Sequence, residues 1–158
     1  MNSPIVFSIV IGIGIVAGLR AMTAPAIVCW AAHLGWISLS GSPLAFMGSK
    51  TAVAIFSLLA LVEFVTDQLP KTPSRTVPVQ LGARIIMGGL AGACLSVAAS
   101  QSLVLGALLG AVGALIGTFG GYQARMRLVR ALNVKDAVVA TLEDLVAIGL
   151  ALFLVSRQ

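Results

Sequence analysis

The charges in this 158-residue chain are few, five acidic against ten basic residues with one histidine, and their spacing is informative. Glu63 and Asp67 stand four residues apart, on one face of any helix that carries both. Glu143 and Asp144 are adjacent, so on a helix their side chains point about 100° apart and at least one should turn toward the protein interior. Arg20 and Arg84 stand at or just inside the ends of apolar runs and are the natural counter-charges. Pro25 follows the first apolar run. Proline lacks a backbone donor and clashes with the preceding turn, which predicts a helix break near Thr23. Carboxylates held away from water bind a proton or a cation, while arginines and the freed backbone of a broken helix hold an anionic or polar solute. The candidate ion- or substrate-binding residues are therefore Glu63, Asp67, Glu143, Asp144, Arg20, Arg84, Thr23 and Pro25, with Glu63, Glu143 and Arg84 expected in one cluster. The competing reading is plainer: the same carboxylates pair with the arginines and fix helix packing.

Other chemistry is missing from the pattern. There is no metal-ligand spacing, no Ser/His/Asp or Cys/His set, no phosphate loop and no dinucleotide fingerprint, so neither an enzyme nor a cofactor is expected. Cys29 and Cys94 lie in apolar surroundings and read as small packing residues. His33, between Trp30 and Trp36, reads as an interfacial residue beside aromatic membrane anchors.

The elements that must position these residues are apolar. The chain is 59% hydrophobic and 9% charged, with a mean hydropathy of +1.07, whereas a soluble domain carries roughly 25% charged residues. A membrane-spanning helix takes about 20 apolar residues. The expected architecture is one integral membrane domain over residues 1–158, an all-α polytopic transmembrane bundle of about five spans. The spans are residues 4–19, 50–65, 81–99, 103–119 and 137–155, with a shorter run at 26–36 that is re-entrant or interfacial. The first run has no convincing cleavage site and reads as a retained helix. Gly88, Gly92 and Ser96 share one helix face, as do Gly106, Gly110 and Ala114, with Gly113 and Gly117 on a neighbouring row, a pattern that lets helix backbones approach closely in lipid. After Gly120 the helix should break again, into a basic amphipathic segment with Arg125, Arg127 and Arg130 facing lipid headgroups.

The order helix, break, surface segment, acidic helix thus occurs twice, which suggests inverted repeat units 1–80 and 81–158 with broken helices. With five crossings, Lys71, Arg75, Arg84, Arg125, Arg127, Arg130 and Lys135 fall on one side, and Arg20, Lys50 and Arg157 on the other. The excess of positive charge on cytoplasmic loops then places the N-terminus in the cytoplasm and the C-terminus outside. The same rule explains the net charge of +5 without nucleic acid.

The segments Gly-Leu-Arg-Ala-Met-Thr-Ala-Pro (18–25), Glu-Phe-Val-Thr-Asp-Gln-Leu-Pro-Lys-Thr-Pro-Ser-Arg-Thr (63–76) and Leu-Glu-Asp-Leu-Val-Ala (142–147) resemble a family of small bacterial membrane proteins known only as a domain of unknown function. The resemblance covers most of the chain and implies a compact multi-span fold. It supplies no activity. The expectation is a small transporter or channel-like protein of the bacterial inner membrane, a homo-oligomer in the lipid bilayer, with a small ion or polar solute as its ligand. Glu63 and Glu143 would exchange a proton or cation, and Arg20, Arg84 and the break would hold the solute. The alternative is a scaffold that binds anionic lipid or a partner protein through Arg125, Arg127 and Arg130.

Overall fold

A computed structural model describes residues 3–67, 77–132 and 136–158. Among these there are six α-helices and one 3-10 turn, and no strand. The helices are α1 (Ser3–Leu19), α2 (Thr23–His33), α3 (Lys50–Thr66), α4 (Pro78–Ala98), α5 (Leu103–Leu132) and α6 (Asp136–Val155), with the 3-10 turn at Ala45–Gly48 before α3. Local chemistry sets several of these limits. Ser49 caps α3 by accepting from the Ala52 N–H at 3.1 Å. Proline opens α4, where its missing N–H costs nothing. The turn from α4 to α5 passes through Ser100 in the left-handed region, at φ 57°.

Three helices form the densest part. A Cβ built on Gly14 would lie 2.2 Å from the Gly110 carbonyl oxygen, one on Gly18 would lie 2.3 Å from that of Ala114, and one on Gly92 would lie 2.6 Å from that of Gly106. Only glycine permits such approaches, so α1, α4 and α5 pack backbone on backbone. The same neighbours fix direction: α1 runs parallel to α5, and α4 runs antiparallel to it. Leu154 of α6 covers Gly12, while Asp144 of the same helix reaches Arg20, so α6 is antiparallel to α1. Trp30 of α2 bonds Ser57 of α3 at 3.0 Å, and the start of α2 bonds Glu63, so these two helices are antiparallel as well.

The chain therefore arrives at one end of the bundle along α1, α3 and α5, and leaves it along α2, α4 and α6. This changes the expected topology. Helix α2, eleven residues long, takes the chain back from that end, and the described termini lie together at the opposite end. Arg20, assigned above to the side away from Arg84, stands beside it. The second helix break is also absent, because α5 continues through Gly117 and Gly120 to Leu132. No proline stops it, and Gly113 and Gly117 serve its contact with α1. The repeat of broken helices thus has only its first break.

Beside an apolar core, three charged side chains are buried while many large aliphatic ones are exposed. Arg20, Arg84 and Asp144 are 2%, 1% and 4% exposed, whereas Leu61, Val79, Ile86 and Leu145 are 64–82% exposed. Helices α4 and α5 are long and apolar enough to cross a membrane, and α1 is a shorter apolar helix.

Candidate functional site

The interruption between α1 and α2 consists of Arg20, Ala21 and Met22, and four other helices contribute to holding it. A helix end leaves backbone groups without partners, carbonyls at the C-terminus and N–H groups at the N-terminus. Here side chains from elsewhere meet members of both sets. Arg84 of α4 donates from Nη1 to the Gly18 and Leu19 carbonyls, each at 2.7 Å. Thr118 of α5 donates to the Gly18 carbonyl at 3.3 Å and to that of Ala114 at 2.8 Å. On the other side of the break, Glu63 of α3 accepts from the Ala21 N–H through Oε1 and from the Met22 N–H through Oε2, both at 2.8 Å. A carboxylate placed astride two N–H groups at a helix start is favoured by the helix dipole as well as by the bonds.

Arg20 itself projects from the break, holds α3 a second time and draws in α6. Its Nη1 pairs with Asp67 Oδ2 of α3 at 2.6 Å and donates to the Glu63 carbonyl at 3.4 Å. Its Nε pairs with Asp144 Oδ1 of α6. Arg84 Nη2 stands 3.9 Å from Glu63 Oε1, a charge contact longer than a hydrogen bond. The cluster thus sets two guanidinium groups among three carboxylates. Arg20 Nη2 and Asp144 Oδ2 are among the buried atoms within it that have no hydrogen-bond partner.

The expected residues divide accordingly. Arg20, Glu63, Asp67, Arg84 and Asp144 meet. Glu143 pairs with Arg125 at 3.7 Å. The adjacent carboxylates do diverge, and it is Asp144 that turns inward. Thr23 and Pro25 are no part of the break but the first turn of α2, where the missing proline N–H would have had no helical partner. The chain breaks before them, where Arg84 and Glu63 satisfy the exposed backbone. Arg127 and Arg130 are exposed on the C-terminal part of α5. Lys71, Arg75 and Lys135 lie outside the described residues. Thr118 was missed by the sequence reading; its one signal is a hydroxyl next to Gly117, one helical turn from the small residue Ala114.

The chemistry available here is electrostatic: seating, pairing and releasing charge. Among the described residues, no three His, Cys, Asp or Glu side chains gather to hold a metal ion. A cleft of about 520 Å³ opens at the opposite end, beside Gly35, Ser38, Ser40 and Gly48, and no member of the cluster lines it.

Residues 7–156 match the family described as Domain of unknown function (DUF4126), and the chain belongs to that family. No curated protein and no solved structure matches it.

Proposed function

We propose that this chain is a small multi-span membrane transporter or channel-like protein, whose site is the charge cluster at the break between α1 and α2. The observation that carries this reading is the burial of two guanidinium groups and a carboxylate in a molecule whose surface exposes many large aliphatic side chains. In lipid, a broken backbone and buried charges are tolerated only where protein or trapped water satisfies them, and such places mark solute and ion pathways. The structure then corresponds to a closed state, with the carboxylates engaged. Asp67 and Asp144 take the ion-exchanging role alongside Glu63, while Glu143 is tied to Arg125. Arg20, Arg84 and the backbone of the break hold an anionic or polar solute.

Orientation in a bacterial inner membrane follows from the ends of the bundle. The cluster end carries Arg20, Arg84, Arg125, Arg127 and Arg130, and the far end carries Lys50 and Arg157. The basic end belongs in the cytoplasm. Since α1 runs toward that end, the N-terminus lies on the other side, the reverse of the five-crossing expectation. Labelling of a cysteine placed at Ser3, in a variant lacking Cys29 and Cys94, decides this by which membrane face the reagent must reach.

The function is tested by purified protein in liposomes, following proton- and cation-coupled solute uptake. Wild type should carry flux, and Asp144→Asn should lose most of it while remaining folded. No flux by wild type for any gradient ends the transporter reading. One observation favours a scaffold instead: α5 extends about 20 Å beyond Thr118, at 1.5 Å per residue, and carries exposed Arg127 and Arg130 there. Charge reversal at those two positions abolishes retention of anionic lipid if that reading holds.

A further inference from the structure

Glu63 occupies a place that helix chemistry would offer to any small carboxylate. The Ala21 and Met22 N–H groups, both 2.8 Å from its oxygens, point at it from the start of an eleven-residue helix. Arg84, 1% exposed, is fixed by two carbonyls and stands with Nη2 3.9 Å from Glu63 Oε1. A second buried guanidinium, that of Arg20, lies against the Glu63 carbonyl and has an Nη2 with no hydrogen-bond partner. Arg20 thus keeps one buried donor group without an acceptor in the closed cluster. The group that fills the place comes from α3, whose buried residues are only Ala52 and Val53.

We propose that the start of α2, with Arg84 and Arg20 beside it, is a binding seat for a small carboxylate solute, and that Glu63 fills this seat from α3 in the closed state. Solute and Glu63 compete for the same donors, so the incoming anion releases the end of α3. The charge count agrees. Two arginines face Glu63, Asp67 and Asp144; without Glu63 the balance is two against two, and one bound carboxylate restores the native value. This deepens the reading of Arg84 and the break as the solute-holding part of the site. It also gives Glu63 the part of a tethered ligand in the closed state.

The test is chemical replacement of the side chain, with formate as the probe. In detergent, Glu63→Ala should gain about 5 °C in Tm with saturating formate and nothing with equal chloride. Glu63→Gln, whose amide still fills the seat, should not respond. Absence of a formate-specific shift in Glu63→Ala overturns the proposal, as does an equal shift in Glu63→Gln. If Glu63→Ala is lost on extraction in chloride, extraction in formate decides. Recovery of folded protein supports the seat, and failure in both salts while Glu63→Gln is recovered overturns it. The two readings fail separately: a formate shift without flux by wild type keeps the seat and ends the transporter, and flux without the shift does the reverse.

Discussion

Helix α3 and the triple α1, α4 and α5 are joined to the molecule by opposite means. Within the triple, glycines bring backbones so close that a Cβ on Gly110 would lie 2.2 Å from the Gly88 carbonyl oxygen. Helix α3 packs on α2 and the 3-10 turn through Ala52 and Val53, and leaves Leu58, Leu61, Val62 and Val65 exposed. Its hold on the rest is polar, through Glu63, Asp67 and the Ser57–Trp30 bond. Where the surroundings are as apolar as the helices, sequestering aliphatic surface brings little gain, so close dispersion contacts and satisfied polar groups must do the joining. The first kind of joint is rigid in volume. The second depends on charge balance and can be exchanged for another partner.

The comparison breaks most sharply at the glycines. Gly110→Leu should exceed the usual cost of overpacking and destabilise by about 4 kcal/mol or more, read as loss of monodisperse protein in detergent. The polar joint should respond to balance. Arg20→Met alone leaves Asp67 and Asp144 unpaired beside each other and should cost about 3–5 kcal/mol. Adding Asp67→Asn and Asp144→Asn should recover about 1–3 kcal/mol of that loss, and thermal unfolding of the two variants measures the difference. A triple variant less stable than the single one would show that the aspartates have other partners. Thr118→Val removes one hydroxyl where α1 and α5 meet and should cost about 1 kcal/mol by the same measurement. The smallest effect is expected at Gly149 of α6, where an added Cβ meets nothing within 4 Å. Gly149→Ala should be neutral or stabilising by up to about 1 kcal/mol, through helix propensity alone.

Membership of the domain-of-unknown-function family and the all-helical class were legible in the chain itself. The family rests on the polar islands at residues 18–25, 63–76 and 142–147, and the helices on long apolar runs. The glycine faces at 88, 92 and 106, 110 were legible too, because a four-residue spacing of small side chains has few other uses in an apolar helix. Of the cluster, Glu63, Asp67, Asp144, Arg20 and Arg84 could be named from the rarity of charge in such runs.

Their partners could not. Periodicity states that Glu143 and Asp144 diverge, but which one reaches Arg20 depends on where α6 meets α1. The same holds for Arg20: a one-dimensional count of crossings assigned it to the side away from Arg84. The chain instead turns back at residues 20–22, and two side chains distant in sequence satisfy the turn. Composition and spacing thus determined which groups are too costly to leave unsatisfied in an apolar setting. Only the tertiary structure decided which group satisfies which, because that depends on helix direction and on the close approach that glycine allows.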